Sequence, residues 1–197
     1  NDELRMALGL MAEHPGAIGA EVVARGDSGG WWREIRLDKV AASGIRANAP
    51  VVAADGLVGR VVRVTDDTAD VLLLSDANSK VACVVEDEGP GARGIVVGGG
   101  IQHAQAELEL LHVVEPMSLA YLDKEAEIRP GSRVVTSGLG GVYPAGIPVG
   151  EVRSTSPDST RLYQRALVAP CVDFASLRRV FVLGRRAPAA GDAGGRR

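Results

Sequence analysis

The sequence predicts an all-β fold: two six-stranded β-barrels preceded by a short N-terminal helix. Three observations lead there. About twelve short apolar or alternating segments recur, each bounded by glycine, proline, asparagine or aspartate. Short strands with frequent turns build sandwiches or barrels. Glycine is abundant, at 25 of 197 residues, with no Gly-x-y period, so it marks turns and not a collagen helix. A glycine-rich strand–turn–strand segment also occurs twice, as expected of one building block used two times.

The first element is the helix, residues 1–16. Asp2 and Glu3 suit the positive end of a helix dipole. Leu4, Leu8 and Met11 form one apolar stripe, and Pro15-Gly16 ends it. The stripe fits either a helix packed on its own domain or the last turns of a parallel coiled-coil dimer. From Ala17 the period changes to two, and Ile18, Ala20, Val22 and Ala24 share one side of a strand. In the next strand Trp31, Ile35 and Leu37 share a face, and Trp32, Glu34, Arg36 and Asp38 share the other. That alternation places one face in a core and one in water. Trp32 is then a large aromatic on the wet side, a barrel-end cap or a candidate contact for a partner.

Further strands are expected at 51–52, 58–64, 71–74, 81–85, 95–97, 107–114, 134–136, 149–154, 162–169 and 180–183. The segment from Glu115 to Arg129 reads as polar, with room for a helical turn before Pro130-Gly131. Residues 185–197 are arginine, glycine, alanine, proline and one aspartate with no apolar period, the composition of a disordered tail.

The most informative stretch is Val134 to Val152. Val134 to Thr136 and Val149 to Val152 read as strands around a wide shaped loop, Ser137 to Pro148. Gly138, Gly140, Gly141, Pro144, Gly146, Pro148 and Gly150 give it its form, because glycine reaches left-handed backbone angles and proline fixes one angle. The weaker copy is Pro50 to Val61, with Gly56 and Gly59. Gly56-Leu57-Val58-Gly59 then matches Gly146 to Gly150, with Pro148 as an added residue.

Composition excludes several functions. The net charge of −3 gives no electrostatic footprint for nucleic acid. No run reaches the roughly 18–20 apolar residues that cross a bilayer, and no signal peptide stands at Asn1. No His-x-x-x-His or Cys-x-x-Cys spacing supports a metal, and no cofactor is implied. Cys83 and Cys171 sit in valine-rich segments and read as small buried hydrophobes, their pairing left open. Gly26-Asp27-Ser28-Gly29-Gly30 spells the nucleophile motif of trypsin-like proteases, whose architecture is also a double barrel. A serine nucleophile needs an oriented base, and only His14 precedes it, so the segment reads as a hairpin loop. His103 reads as a loop residue and His112 as a partly buried strand residue. Ser137 to Gly141 does not lead into a helix, as a phosphate loop would. Three functions are left to weigh: a noncatalytic scaffold, a serine hydrolase on a double barrel, and a β module for a small ligand or glycan. The missing His and Asp partners demote the second, and the shortage of aromatic residues demotes the third.

Several motifs carry a family resemblance. They are Trp31-Trp32-Arg33, Leu37-Asp38-Lys39, Gly44-Ile45-Arg46, Pro50-Val51-Val52, Gly56 to Val61, Leu72 to Ser79, Arg93 to Val96, and the long glycine loop. In this order, over roughly residues 1–161, they resemble the extracytoplasmic part of MreC, the rod-shape-determining family of bacteria. Val40 and Asn48 stand where that family often has glycine. Asparagine tolerates left-handed geometry, so the second turn survives. The resemblance implies a chymotrypsin-like double barrel without catalytic residues. Its first barrel is residues 17–68 plus 157–184, and its second, residues 69–156, is inserted. It implies a homodimer through Leu4, Leu8 and Met11, and a location on the periplasmic side of the inner membrane, with the anchor upstream of this chain. It implies a noncatalytic scaffold that organises lateral peptidoglycan synthesis. Its partners would be the elongation-specific penicillin-binding transpeptidase, MreD, MreB and RodA.

Overall fold

The computed structural model describes residues 14, 16–27, 33–38, 44–87, 91–99, 101–102, 113–114, 117–158 and 162–184. The expected helix with Leu4, Leu8 and Met11, the loop with Ser28, the two tryptophans, His103, His112 and the tail lie outside them. The described strands are β1 (Ile18–Asp27), β2 (Arg33–Leu37), β3 (Pro50–Ala53), β4 (Gly56–Val64), β5 (Ala69–Leu73), β6 (Lys80–Glu86) and β7 (Arg93–Val97). Then follow β8 (Ile101–Gln102), β9 (Val113–Val114), β10 (Met117–Asp123), β11 (Arg133–Thr136), β12 (Pro148–Pro157), β13 (Tyr163–Pro170) and β14 (Arg179–Val182).

Twelve of these close into two antiparallel barrels, ordered β1-β14-β3-β4-β5-β2 and β10-β13-β12-β11-β6-β7, with β8 and β9 as a separate pair. Closure removes the unpaired strand edges that an open sheet exposes. The barrel limits differ from those expected. Ala69–Leu73 belongs to the first barrel, not the second, and Tyr163–Pro170 to the second, not the first. Both expected limits fell inside hairpins. β4 turns into β5 through Thr65 and Thr68, whose side chains and backbones bond one another. β12 and β13 pair along seven registered positions.

Met117–Asp123 is a further correction, since this part of the polar segment forms strand β10. Met117, Leu119 and Leu122 are its buried residues. The register against β13 shifts between Leu119 and Leu122. That bulge moves the third apolar residue out of period two, which hides the strand from an alternation count.

Each barrel has its own apolar filling, in which valine is the commonest residue. Val51, Val58, Val61, Val71, Val180 and Val182 fill the first. Leu119, Leu122, Val134, Val149, Val152 and Val168 fill the second. Each such side chain contributes roughly 1.5–3 kcal/mol on leaving water. Val52, Leu57, Leu74 and Leu183 come from the first barrel or its margins, yet pack into the second barrel's cluster. The second barrel's core therefore extends into a joint with the first, and Phe174 packs against both clusters.

Backbone contact makes the tight curvature of both barrels. A Cβ on Gly59 would lie 2.0 Å from the Leu72 carbonyl oxygen, and one on Gly150 would lie 2.1 Å from that of Ala169. Gly59 pairs with Val51 across β3–β4, and Gly150 with Val134 across β11–β12. The copies therefore match as the sequence suggested, with one adjustment. Register sets Leu57 against Val52 and Pro148 against Val135, so Leu57 corresponds to Pro148. The extra residues lie ahead of Pro148, in the wide loop.

The first barrel also holds a buried carboxylate. Asp70 is 4% exposed and accepts from Arg36 Nε at 2.7 Å and Arg63 Nε at 2.9 Å. The three residues meet because Arg36 and Arg63 are Asp70's registered neighbours on β2 and β4. The hydrogen bond from Arg36 leads in holding the Asp70 carboxyl below its usual range, against the opposing effect of burial.

Two measurements check this account. Gly59→Ala and Gly150→Ala each drive a methyl into a backbone carbonyl and should cost about 3 kcal/mol or prevent folding. Gly140→Ala, with a φ of 85° and open space around its Cβ, should cost only about 1 kcal/mol; denaturant titrations rank the three. Asp70, with its pKa lowered, contributes stability above a pH of about 4 that is lost as pH falls through its folded value. Asp70→Asn should lower stability by about 1 kcal/mol or more at neutral pH and flatten the acid limb; melting curves against pH give the comparison.

Candidate interaction surface and the joint

The wide loop lies over the joint and is held there by Thr136. Its hydroxyl donates to the Pro144 carbonyl and accepts from the Ile147 amide. The Ser137 hydroxyl donates to the Ala82 carbonyl on β6. Gly138, Gly140, Gly141 and Gly146 have φ of 76°, 85°, 69° and 87°, the left-handed region. Tyr143 is tucked beneath them at 6% exposure, and burial pushes its phenol up to about 12. Leu139 stays exposed at the loop tip.

Gly56, Pro148 and Cys171 meet at the same joint. A Cβ on Gly56 would stand 2.4 Å from the Pro148 carbonyl oxygen and 2.6 Å from the Cys171 sulfur. The Cys171 amide donates to Val149. Cys83 is a buried free thiol that burial pushes up to about 12. Cys171 is also free but exposed, which corrects its expected burial: it begins the connector after β13, beyond the barrel wall. Gly56 and Pro148, singled out in the sequence, thus form a close backbone joint beside the Cys171 thiol.

A second feature was not singled out. Tyr121 has a φ of 62°, rare for a bulky residue, and sits in the β10 bulge. The bulge turns its ring outward against Tyr163, edge to face, with centroids 6.0 Å apart. Tyr121 is 62% exposed, Leu162 68% and Tyr163 44%. They border an open cavity of about 950 Å³ whose far lip is Asp123 to Arg129. Gln164 pins that lip, its Nε2 donating to the carbonyls of Asp123 and Ala126 at 2.7 and 2.6 Å. The Asp123 carboxylate caps the turn by accepting from the Glu125 amide. Lone tyrosines far apart in sequence gave no signal of this patch; only the register of β10 on β13 brings them together. Trp32, the candidate contact read from alternation, lies outside the described residues.

Among the described residues no group of His, Cys, Asp and Glu is placed to hold a metal ion. The chain belongs to the structural class of double β-barrel proteins. Its residues 22–184 match the family described as rod shape-determining protein MreC, barrel core. The cell shape-determining protein MreC of Caulobacter vibrioides is 38% identical over 151 residues, 76% of this chain and 39% of that protein. That of Listeria monocytogenes is 32% identical over 174 residues, 87% of this chain and 55% of that protein. The chain spans about half the length, or less, of these relatives.

The solved MreC of Listeria monocytogenes superposes with a TM-score of 0.74 at 28% identity, covering 94% of this chain and 87% of that one. A solved major periplasmic domain of the cell shape-determining filament MreC shares the fold, with a TM-score of 0.70 at 24% identity, covering 86% and 96%. So does MreC of Helicobacter pylori, solved in complex with penicillin-binding protein PBP2, with a TM-score of 0.63 at 18% identity, covering 87% and 99%. The chain belongs to the MreC family of rod shape-determining proteins.

The strained Tyr121 tests whether its ring serves the fold. Glycine at this position removes left-handed strain of roughly 1–2 kcal/mol and gives up an edge-to-face pair worth about 0.5–1.5 kcal/mol. Tyr121→Gly should therefore leave stability unchanged within about 1 kcal/mol or raise it. A loss of several kcal/mol in chemical denaturation would assign the ring a packing role instead.

Proposed function

We propose that the chain is the extracytoplasmic scaffold of a bacterial elongation complex, and that it guides lateral wall synthesis by protein–protein contact. The observation that carries this reading is the exposed Tyr121–Leu162–Tyr163 patch on the second barrel. Interfaces draw most of their energy from a few aromatic or apolar anchors that lose water on binding. The partner is a penicillin-binding transpeptidase; the Helicobacter pylori MreC, which has the same fold, is solved with PBP2. MreD, MreB and RodA are further partners in this reading. The chain sits on the periplasmic side of the inner membrane, tethered by an upstream anchor, and pairs as a homodimer through Leu4, Leu8 and Met11. That stripe is short, and isolated helices below ~12–15 residues are marginal in water, so the upstream heptads strengthen the dimer.

Calorimetric titration against the periplasmic part of the transpeptidase is the direct test. The chain should bind without turnover, and Tyr163→Ala should weaken binding by about 2 kcal/mol, roughly thirtyfold. Circular dichroism of the variant should stay that of the parent. No binding by the parent chain would count against this partner; unchanged affinity for Tyr163→Ala and Leu162→Ala would move the contact elsewhere.

A further inference from the structure

The strand pairings correspond position by position between the two barrels. Val51 pairs with Gly59 in the first as Val134 pairs with Gly150 in the second. The next pairs are Val61–Val71 and Val152–Val168, each followed by a register shift, then Val64–Ala69 and Thr155–Ala166. β2 meets β5 at Ile35–Val71 and Leu37–Ala69, and β10 meets β13 at Met117–Val168 and Leu119–Ala166. Following β1 and β7 in the same way aligns Val22, opposite Leu37, with Val96, opposite Leu119.

The sixth strand breaks the chain order. In the first barrel the position between β1 and β3 is filled by β14; Val182 pairs with Val51, and Val180 with Ala20. In the second barrel the same position, between β7 and β11, is filled by β6; Val85 pairs with Val134, and Cys83 with Gly94. β6 follows the first barrel's β5 in the chain, and β14 follows the second barrel's β13. Each run of five strands is thus followed by a sixth that enters the other barrel.

Both crossing segments are built into the structure. In the first, Leu74 is fully buried and Asp76 nearly so. The Asp76 carboxylate accepts from the Arg33 and Asn78 amides, and the Leu74 amide donates to Val58. In the second, Val172 and Leu177 are buried, and the Arg25 guanidinium donates to the carbonyls of Phe174 and Leu177.

We propose that the two barrels are copies of one six-stranded unit that have exchanged their closing strands, so that neither barrel opens without the other. Opening the first barrel at β14 pulls on the segment that ends β13. Opening the second at β6 pulls on the segment that ends β5. The pair is a reciprocal clasp, and a partner or a load meets one cooperative body.

Native-state hydrogen exchange on the whole chain tests this, because amides that exchange only by a shared opening share its rate. Val61 and Val152 occupy the same position in the two copies and are fully buried. Val61→Ala and Val152→Ala should each speed the slowest amides of both barrels by one common factor, on the order of tenfold or more. Confinement of the faster exchange to the substituted barrel would overturn the proposal. Leu57→Ala separates the clasp from plain contact, since Leu57 packs at the joint but lies on neither exchanged strand. In that variant the two barrels should still exchange at a common rate. Divergence of their rates would mean that joint packing alone couples them, and would also overturn the proposal.

Discussion

The double barrel rests on places where one strand's backbone lies directly on the next, tightest at Gly59 and Gly150. At Gly59 and Gly150 the neighbouring carbonyl occupies the space that any side chain would need. Strands this close can bend sharply, and a six-stranded sheet closes only with strong tilt and bend. Valine then completes the small interior. Its branched side chain is stiff, suits a pleated wall and fills a narrow space without the bulk of an aromatic. The scarcity of phenylalanine and tryptophan follows from the same geometry.

The features that sequence revealed well are those with a local cause. The glycine loop was legible because several residues in a row are of the type that left-handed geometry selects. Eleven of the twelve barrel strands overlap segments expected from apolar runs and turn spacing. Failures came where the cause is a pairing between distant strands. The copies were aligned with Pro148 as the extra residue, while register places it opposite Val135, as Leu57 is opposite Val52. The β10 strand was hidden by its own bulge, which breaks the alternation that reveals strands. The barrel limits were cut inside two hairpins, because chain order does not disclose which barrel a strand closes. The Tyr121–Tyr163 pair depends on the same bulge and could not be read from either residue alone.

The two copies have also diverged in what they carry on one frame. The site of Asp70 in the first barrel corresponds to Leu167 in the second, through the matching pairs Arg36–Asp70 and Ser118–Leu167. One barrel keeps a carboxylate between two guanidinium groups there, and the other presents an exposed leucine. The hairpin of β12 and β13 also runs two pairs further than that of β4 and β5, through Ser156–Arg165 and Pro157–Gln164. The ionic cluster stands on the plain copy, and the elaborated copy holds the aromatic patch. A duplicated unit has divided into a fastened half and a displaying half.

Where the chain enters and leaves this body sets how it bears tension. Ile18 at the start of β1 pairs directly with Val182 at the end of β14. A pull transmitted between those two points crosses a single ladder of hydrogen bonds in the first barrel. The second barrel, strung between β5 and β14 in the chain, lies outside that line of force. Its surface keeps its shape as long as that ladder holds; once β14 is drawn out, the load passes to the segment that ends β13 and both barrels yield together.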